Sequence, residues 1–200
     1  MHKAIFSLLA LTVLLTVTSL TATAQKTTKT KSKETAKVTN EIAVIETDHG
    51  TIEIEFYRKD APKTVENFVQ LAKRGFYNGV LFHRVISGFM IQGGDPTGTG
   101  SGGESIYGAT FNDEIDKNSE LYKTGYKRGV VAMANRGPNT NSSQFFIMHK
   151  DYQLPPLYTI FGRVTKGIET IDKIAAQPTA PGDRPKTNIP MKKVTIKTAD

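Results

Sequence analysis

Residues 81–96 read LFHRVISGFMIQGGDP, two apolar runs split by Ser87-Gly88 and closed by Gly93-Gly94. A two-residue break between apolar runs describes a β-hairpin. Arg84 stands among Leu81, Phe82, Val85 and Ile86. The first run is therefore a half-buried strand, in which a charge is costly unless it is paired or used. Successive strand side chains point to opposite faces, so Met90 and Gln92 share one face and His83 falls opposite Arg84. His83 reads as a structural hydrogen-bonding residue. The hairpin thus offers a cation, a thioether and an amide together on a rigid sheet.

Outward from this hairpin the same alternation recurs. Upstream, residues 41–56 (EIAVIETDHGTIEIEF) form a hairpin with Ile52, Ile54 and Phe56 on one face, Glu53 and Glu55 on the other, and Asp48-His49-Gly50 as the turn. Ala61-Pro62 opens a helix, capped by Asp60 or Ala61, with Val65, Phe68, Val69 and Ala72 at helical spacing and Gly75 as the stop. Downstream, residues 95–108 are a glycine-rich loop, and residues 111–114 (FNDE) lead into an irregular connection. Strands follow at 129–135, 143–149 and 158–165. A short helix carries Ile168, Ile171, Ile174 and Ala175 on one stripe, residues 178–185 form a Pro/Gly loop, and a last strand spans 191–197. About eight strands and two helices, without an internal repeat, describe a mainly β closed antiparallel barrel or a sandwich with helices over its open ends. The pattern alone does not choose between them.

The first 24 residues differ from the rest. His2 and Lys3 precede an uncharged run, Ala4 to Leu20, and Ala22-Thr23-Ala24 supplies small residues at the cleavage positions. This is the pattern of a secretory signal peptide, with an uncleaved membrane anchor as the alternative. Residues 25–40 (QKTTKTKSKETAKVTN) bury too little apolar surface to fold and read as a disordered tail, leaving residues 41–200 as the folded domain. Six Lys and one Glu lie in residues 1–40, a net +5, so only +2 of the chain's +7 belongs to the domain. No aromatic-rich basic patch accompanies that charge, which argues against nucleic acid as a partner. The chain has no cysteine, which excludes disulfides and a lipid-anchor cysteine.

Several chemistries find no support. Residues 98–103 match G-x-G-x-x-G, but no helical pattern follows, so they read as a surface loop and not a dinucleotide site. There is no G-x-S-x-G. His2, His49, His83 and His149 lack metal-ligand spacing, and no metal or cofactor is expected. What remains is Arg84, Phe89, Met90 and Gln92 together with Ala134, Asn135, Gln144 and Phe146, where Gln144 and Phe146 again share a strand face. Taken singly, each reads as an ordinary buried residue of a core strand.

Taken together, FHRVISGFMIQGGDP (82–96), GGESIYGATFNDE (102–114), VAMANRGPNTNSSQFFI (131–147) and YTIFGRV (158–164) strongly resemble the cyclophilin family of peptidyl-prolyl cis–trans isomerases. The resemblance runs from about residue 42 to 197. It implies a closed eight-stranded antiparallel β-barrel capped by two α-helices, with the site on the outside of the barrel. It also implies the roles. Arg84 donates to the prolyl nitrogen of the twisted amide. Gln92 orients Arg84 and the substrate carbonyl. Phe89, Met90, Phe146 and Leu154 line the proline pocket. Asn135 holds the substrate through its main chain, and Ala134 and Gln144 complete the groove. Two positions depart from the family pattern: Tyr158 stands where many members carry histidine, and Gln153 where many carry tryptophan. Tyr158 keeps a hydroxyl that can donate. Gln153 puts affinity for the cyclic peptide cyclosporin in doubt, so weak binding is expected.

The expected partners are proline-containing peptides and unfolded or folding proteins, and the expected state is a monomer. The contrasting reading is a proline-binding scaffold that keeps the groove but turns over poorly. Asn141-Ser142-Ser143 is an N-glycosylation acceptor in a groove-forming turn, where a glycan would obstruct substrate. With no retention tetrapeptide after Lys197, this favours export to a bacterial periplasm over a eukaryotic secretory route.

Overall fold

A computed structural model describes residues 40–199; the signal peptide expected over 1–24 and the tail expected over 25–40, Asn40 excepted, lie outside them. The N-terminal hairpin forms as the alternation requires. Strands β1 (Glu41–Thr47) and β2 (Gly50–Phe56) pair antiparallel, with Ile52 and Ile54 fully buried. Helix α1 (Pro62–Lys73) buries Val65, Phe68, Val69, Leu71 and Ala72. Its N-cap, Ala61, supplies no side-chain bond. The Glu114 carboxylate takes that part, accepting from the amides of Lys63 (3.0 Å) and Thr64 (2.8 Å) and from the Thr64 hydroxyl (2.8 Å). It thereby satisfies orphan donors and places negative charge at the helix N-terminus.

The central hairpin is β3 (Arg84–Ile86) and β4 (Met90–Gly93). Then come α2 (Glu120–Thr124), β5 (Val130–Met133), β6 (Phe145–Met148), β7 (Ile160–Lys166) and α3 (Ile168–Ala175). The chain ends with β8 (Thr179–Ala180), β9 (Arg184–Pro185) and β10 (Lys193–Thr198). The main sheet has eight strands in the order β10-β1-β2-β7-β5-β6-β4-β3, curled as a half-barrel. Its edge strands β3 and β10 do not pair with each other among the described residues. The expected closed barrel is thus met as a curled eight-stranded sheet.

Two further differences appear. The irregular connection expected after residue 114 contains α2, capped by the Ser119 hydroxyl, which makes three helices among the described residues where two were expected. The loop expected at 178–185 pairs as the small β8–β9 hairpin. Gly94 shows why these connections are tight. It has φ 91°, and a Cβ there would sit 2.3 Å from the Ser143 carbonyl oxygen, so only glycine fits.

Alternation divides the apolar residues between two faces. Ile91, Val131, Met133, Phe145, Ile147 and Phe161 point inward to meet Phe68 of α1 and Ile171 and Ile174 of α3. Met90, Ala132, Phe146, Met148 and Ile160 point outward and form a second cluster with Tyr122 and Tyr126. That outer cluster carries the site.

Candidate active site

Cross-strand register brings the outward residues together. Arg84 pairs with Gln92, Gln92 with Phe146, and Phe146 with Ala132. A groove of about 510 Å³ lies over them. Met90 and Phe146, 2% and 5% exposed, make a rigid apolar floor. Phe89, Leu154 and Tyr158 flank it on one side, and Arg84, Gln92, Ala134 and Asn135 add the polar groups. Nine of the ten sequence-selected residues therefore line one groove on the outside of the sheet. The tenth, Gln144, lines an adjoining cavity of about 60 Å³ that shares Gln92, Ala134 and Asn135.

Arg84 is less buried than its apolar neighbours suggested, with a side chain 42% exposed. Its Nε donates to the Asp183 carboxylate at 3.2 Å, and among the described residues its terminal nitrogens make no bond. Gln92 does not orient it as expected. The Gln92 amide donates instead to Gln144 Oε1 (3.0 Å), and the Gln144 amide donates to the carbonyls of Gly100 (3.0 Å) and Gly102 (2.7 Å). The physical reason is position: Gln92 lies between β3 and β6, next to Gln144, and the loop that follows β4 supplies the carbonyl acceptors for the Gln144 amide.

That loop is held by Asp95, which is fully buried. Its carboxylate accepts from the amides of Thr97, Thr99, Gly100 and Gly102 and from the Thr97 hydroxyl. Burial pushes the carboxyl up, but the bonds from Thr97, Gly102 and Gly100 outweigh it and hold it at about 2. The glycine-rich segment is thus an ordered wall of the site. Sequence reasoning passed over Asp95; the available signal was an Asp-Pro-Thr-Gly turn directly after the hairpin.

Asn135 spends its side chain internally, donating to the Leu157 carbonyl (2.8 Å) and accepting from the Gly137 amide (3.3 Å). Its main-chain N–H and C=O have no partner among the described residues, which leaves both for a peptide in the groove. Tyr158 stacks edge-on to Phe146 (5.6 Å between centroids, 85°) with its hydroxyl unpartnered among the described residues. Behind it, the Tyr126 hydroxyl donates to the Tyr158 carbonyl (2.8 Å), and burial pushes its phenol up to about 12, so it stays a neutral brace. Tyr152 lies over Phe89 at 4.5 Å, an aromatic contact the sequence did not flag.

The histidines read differently once placed. His83 lines the groove, yet among the described residues neither ring nitrogen makes a hydrogen bond of ordinary geometry, contrary to the structural role expected of it. Burial lowers its pKa, so the ring is neutral near pH 7. His149 Nδ1 accepts the Gly88 amide (2.9 Å) at the turn of the hairpin, which fixes the backbone next to Phe89. Asn141 is fully buried and donates to Phe111 O and Asp113 Oδ1. A glycan cannot occupy it in the folded domain, so the acceptor motif says nothing about compartment. Among the described residues no group of three or more acidic or histidine side chains is placed to hold a metal ion.

A family described as cyclophilin type peptidyl-prolyl cis-trans isomerase/CLD matches residues 42–196. Peptidyl-prolyl cis-trans isomerase CYP18-2 of Arabidopsis thaliana is 51% identical over 142 residues, covering 70% of this chain and 84% of that protein. Peptidyl-prolyl cis-trans isomerase-like 1 of Homo sapiens is 53% identical over 142 residues, covering 70% and 83%. The crystal structure of a cyclophilin type peptidyl-prolyl cis-trans isomerase of Cryptosporidium parvum matches with a TM-score of 0.75 at 41% identity, covering 80% of this chain and 99% of that chain. A second structure of that isomerase, in the presence of the dipeptide Ala-Pro, matches with a TM-score of 0.74. The organisms are eukaryotes, and the expected bacterial exported type finds no support among them.

Proposed function

The chain belongs to the cyclophilin type peptidyl-prolyl cis–trans isomerases, and from that premise we propose that Arg84 is the group that stabilises the twisted Xaa–Pro amide. Amide resonance sets a barrier of ~18–20 kcal/mol to rotation. No bond is made or broken, so the catalyst needs only to bind the twisted amide better than either planar isomer. Twisting pyramidalises the prolyl nitrogen and gives it a lone pair. A fixed, always-charged donor bonds that lone pair and gains nothing from the planar amide.

The observation that carries this reading is the free end of Arg84: a guanidinium tethered through Nε, with its terminal nitrogens bonded to no other group among the described residues, beside an apolar floor of Met90 and Phe146. The proline ring sits on that floor against Phe89 and Leu154. The Asn135 main chain holds the peptide, and the Gln92–Gln144 pair supports the groove from behind. Tyr158 offers a hydroxyl to the substrate carbonyl. Exchange NMR on an Ala-Pro peptide with catalytic amounts of enzyme tests the assignment: broadened cis and trans lines that sharpen in Arg84→Ala support it, and equal broadening in both rejects it.

The physiological substrates we propose are Xaa–Pro bonds of folding proteins outside the cytoplasm, in a periplasm, reached through the N-terminal leader and with residues 25–40 as a spacer. The charge and cleavage pattern of residues 1–24 supports this, and the mature N-terminal mass tests it. The domain acts as a monomer without nucleic acid. Three main-chain bonds support a barrel closed along one seam: Gly79 N–H to Met191 O (2.7 Å), Met191 N–H to Val80 O (2.9 Å) and Phe82 N–H to Ile189 O (2.9 Å).

A further inference from the structure

Only two non-glycine residues among those described have positive φ, Asn139 and Asp183 (φ 61°). Such a conformation persists in a non-glycine residue where its surroundings over-determine it, and it often marks function. Asp183 is over-determined. Its carbonyl accepts the Val85 N–H at 2.8 Å, binding it to the strand that carries Arg84. The hairpin it turns is closed by Ala180–Arg184 and Thr179–Pro185 pairing. The next residue, Arg184, donates from Nη1 to Gly98 O (2.7 Å) on the glycine-rich loop, and both residues line the groove. A carboxylate delivered on this scaffold reaches Arg84 Nε at 3.2 Å.

We propose that Asp183 is a positioning residue for Arg84: it holds the guanidinium by its inner nitrogen so that both terminal nitrogens face the groove. The contact geometry favours this over an incidental surface pair. A carboxylate that served only to neutralise an arginine would take the terminal nitrogens in a two-point fork, which is the stronger arrangement. Here the contact is through Nε alone, so the donors needed at the prolyl nitrogen stay free. An unrestrained arginine has many rotamers, and restricting them before substrate arrives raises the fraction of time it is competent. The proposal rests on the assignment of Arg84.

Asp183→Gly and Asp183→Asn both accommodate positive φ, so they test the carboxylate with little backbone strain. Each is measured by exchange NMR with an Ala-Pro peptide, in the parent chain and in Arg84→Ala. Asp183→Gly is expected to lower kcat/KM roughly three- to fivefold, the scale of one exposed charged contact. Asp183→Asn, whose amide oxygen still accepts from Nε, is expected to stay within about twofold of the parent by the same reasoning. The Arg84 Nε–Hε resonance is expected to move to the solvent-exposed position in Asp183→Gly only. In the Arg84→Ala background neither change alters the residual rate. An Asp183→Gly enzyme as fast as the parent, or an equal loss in the Arg84→Ala background, overturns the proposal. Arg84→Ala retaining the parent rate overturns the assignment of Arg84 itself, and that single variant reads it independently.

Discussion

Truncating Arg84 separates catalysis from folding. Among the described residues this side chain makes one bond, to Asp183, and the two side chains are 42% and 43% exposed. An exposed pair of this kind is worth about 0.2–1 kcal/mol, so Arg84→Ala is expected to unfold in urea within about 1 kcal/mol of the parent. The catalytic cost is on another scale. A preorganised donor that bonds only the transition state is worth about 10²–10³ in kcat when removed, and that is the expected loss. Arg84→Lys keeps the charge but cannot hold Asp183 by an inner nitrogen while presenting two more donors, so it is expected to fall within about tenfold of Arg84→Ala. Exchange NMR supplies the rates and urea titration the stabilities. A truncated enzyme within tenfold of the parent would refute the mechanism. A large loss of rate accompanied by loss of more than about 2 kcal/mol would refute the separation, because it would make Arg84 a folding residue.

The remaining predictions concern the frame and the rim. Glu114→Ala removes the cap of α1 and leaves the buried Thr64 hydroxyl without its acceptor, so a loss of about 2–3 kcal/mol is expected in urea titration, with Glu114→Gln in between. His149 is held neutral, chiefly by burial, with Lys150 and Arg128 lowering its pKa further and Asp172 opposing them. A base whose folded pKa lies below its unfolded value lends stability that is complete above about pH 6.5 and lost as pH falls through the folded value. Stability is therefore expected to fall from pH 7.5 to 5.5, with a shallower slope in His149→Gln. The rate, in contrast, is expected to be flat from pH 6 to 8, because the rotation needs no proton transfer and burial lowers the pKa of both His83 and His149; a bell in that range contradicts the mechanism. Weak cyclosporin binding is expected from the exposed Gln153 at the rim, and nanomolar inhibition in a competition assay would count against it.

The site residues legible in the sequence are those whose faces a period of two decides. Alternation alone puts Met90 and Gln92 on one face, and the structure's register then sets Gln92 opposite Phe146. The residues that were missed arrive through loops. Asp183 lies 99 positions from Arg84, and Glu114 lies 50 from the helix it caps. Locally each reads as ordinary turn or surface polarity, since sequence spacing carries no record of which loop closes on which strand. The Gln92 error has the same origin. The resemblance implies contact between Gln92 and Arg84, and the two are cross-strand partners. The glycine loop fixed by Asp95 then supplies acceptors on the far side and draws the amide chain away.

The hairpin of residues 81–96 poses its problem at the sheet edge and not in the core. β3 is the terminal strand of the sheet, so Arg84 is half-exposed and the cost it carries is disorder more than desolvation. An edge strand also leaves an unpaired row of main-chain groups that needs cover. One residue meets both demands: the Asp183 carbonyl takes the Val85 N–H of the open edge while its carboxylate takes the neighbouring Arg84 side chain. Edge protection and arginine placement are therefore coupled through the β8–β9 turn. Lengthening that turn by two glycines after Gly182 should loosen both at once, raising amide exchange at Val85 and slowing turnover together. Faster exchange at Val85 with unchanged turnover would show that the edge is covered by Asp183 but that Arg84 needs no holding.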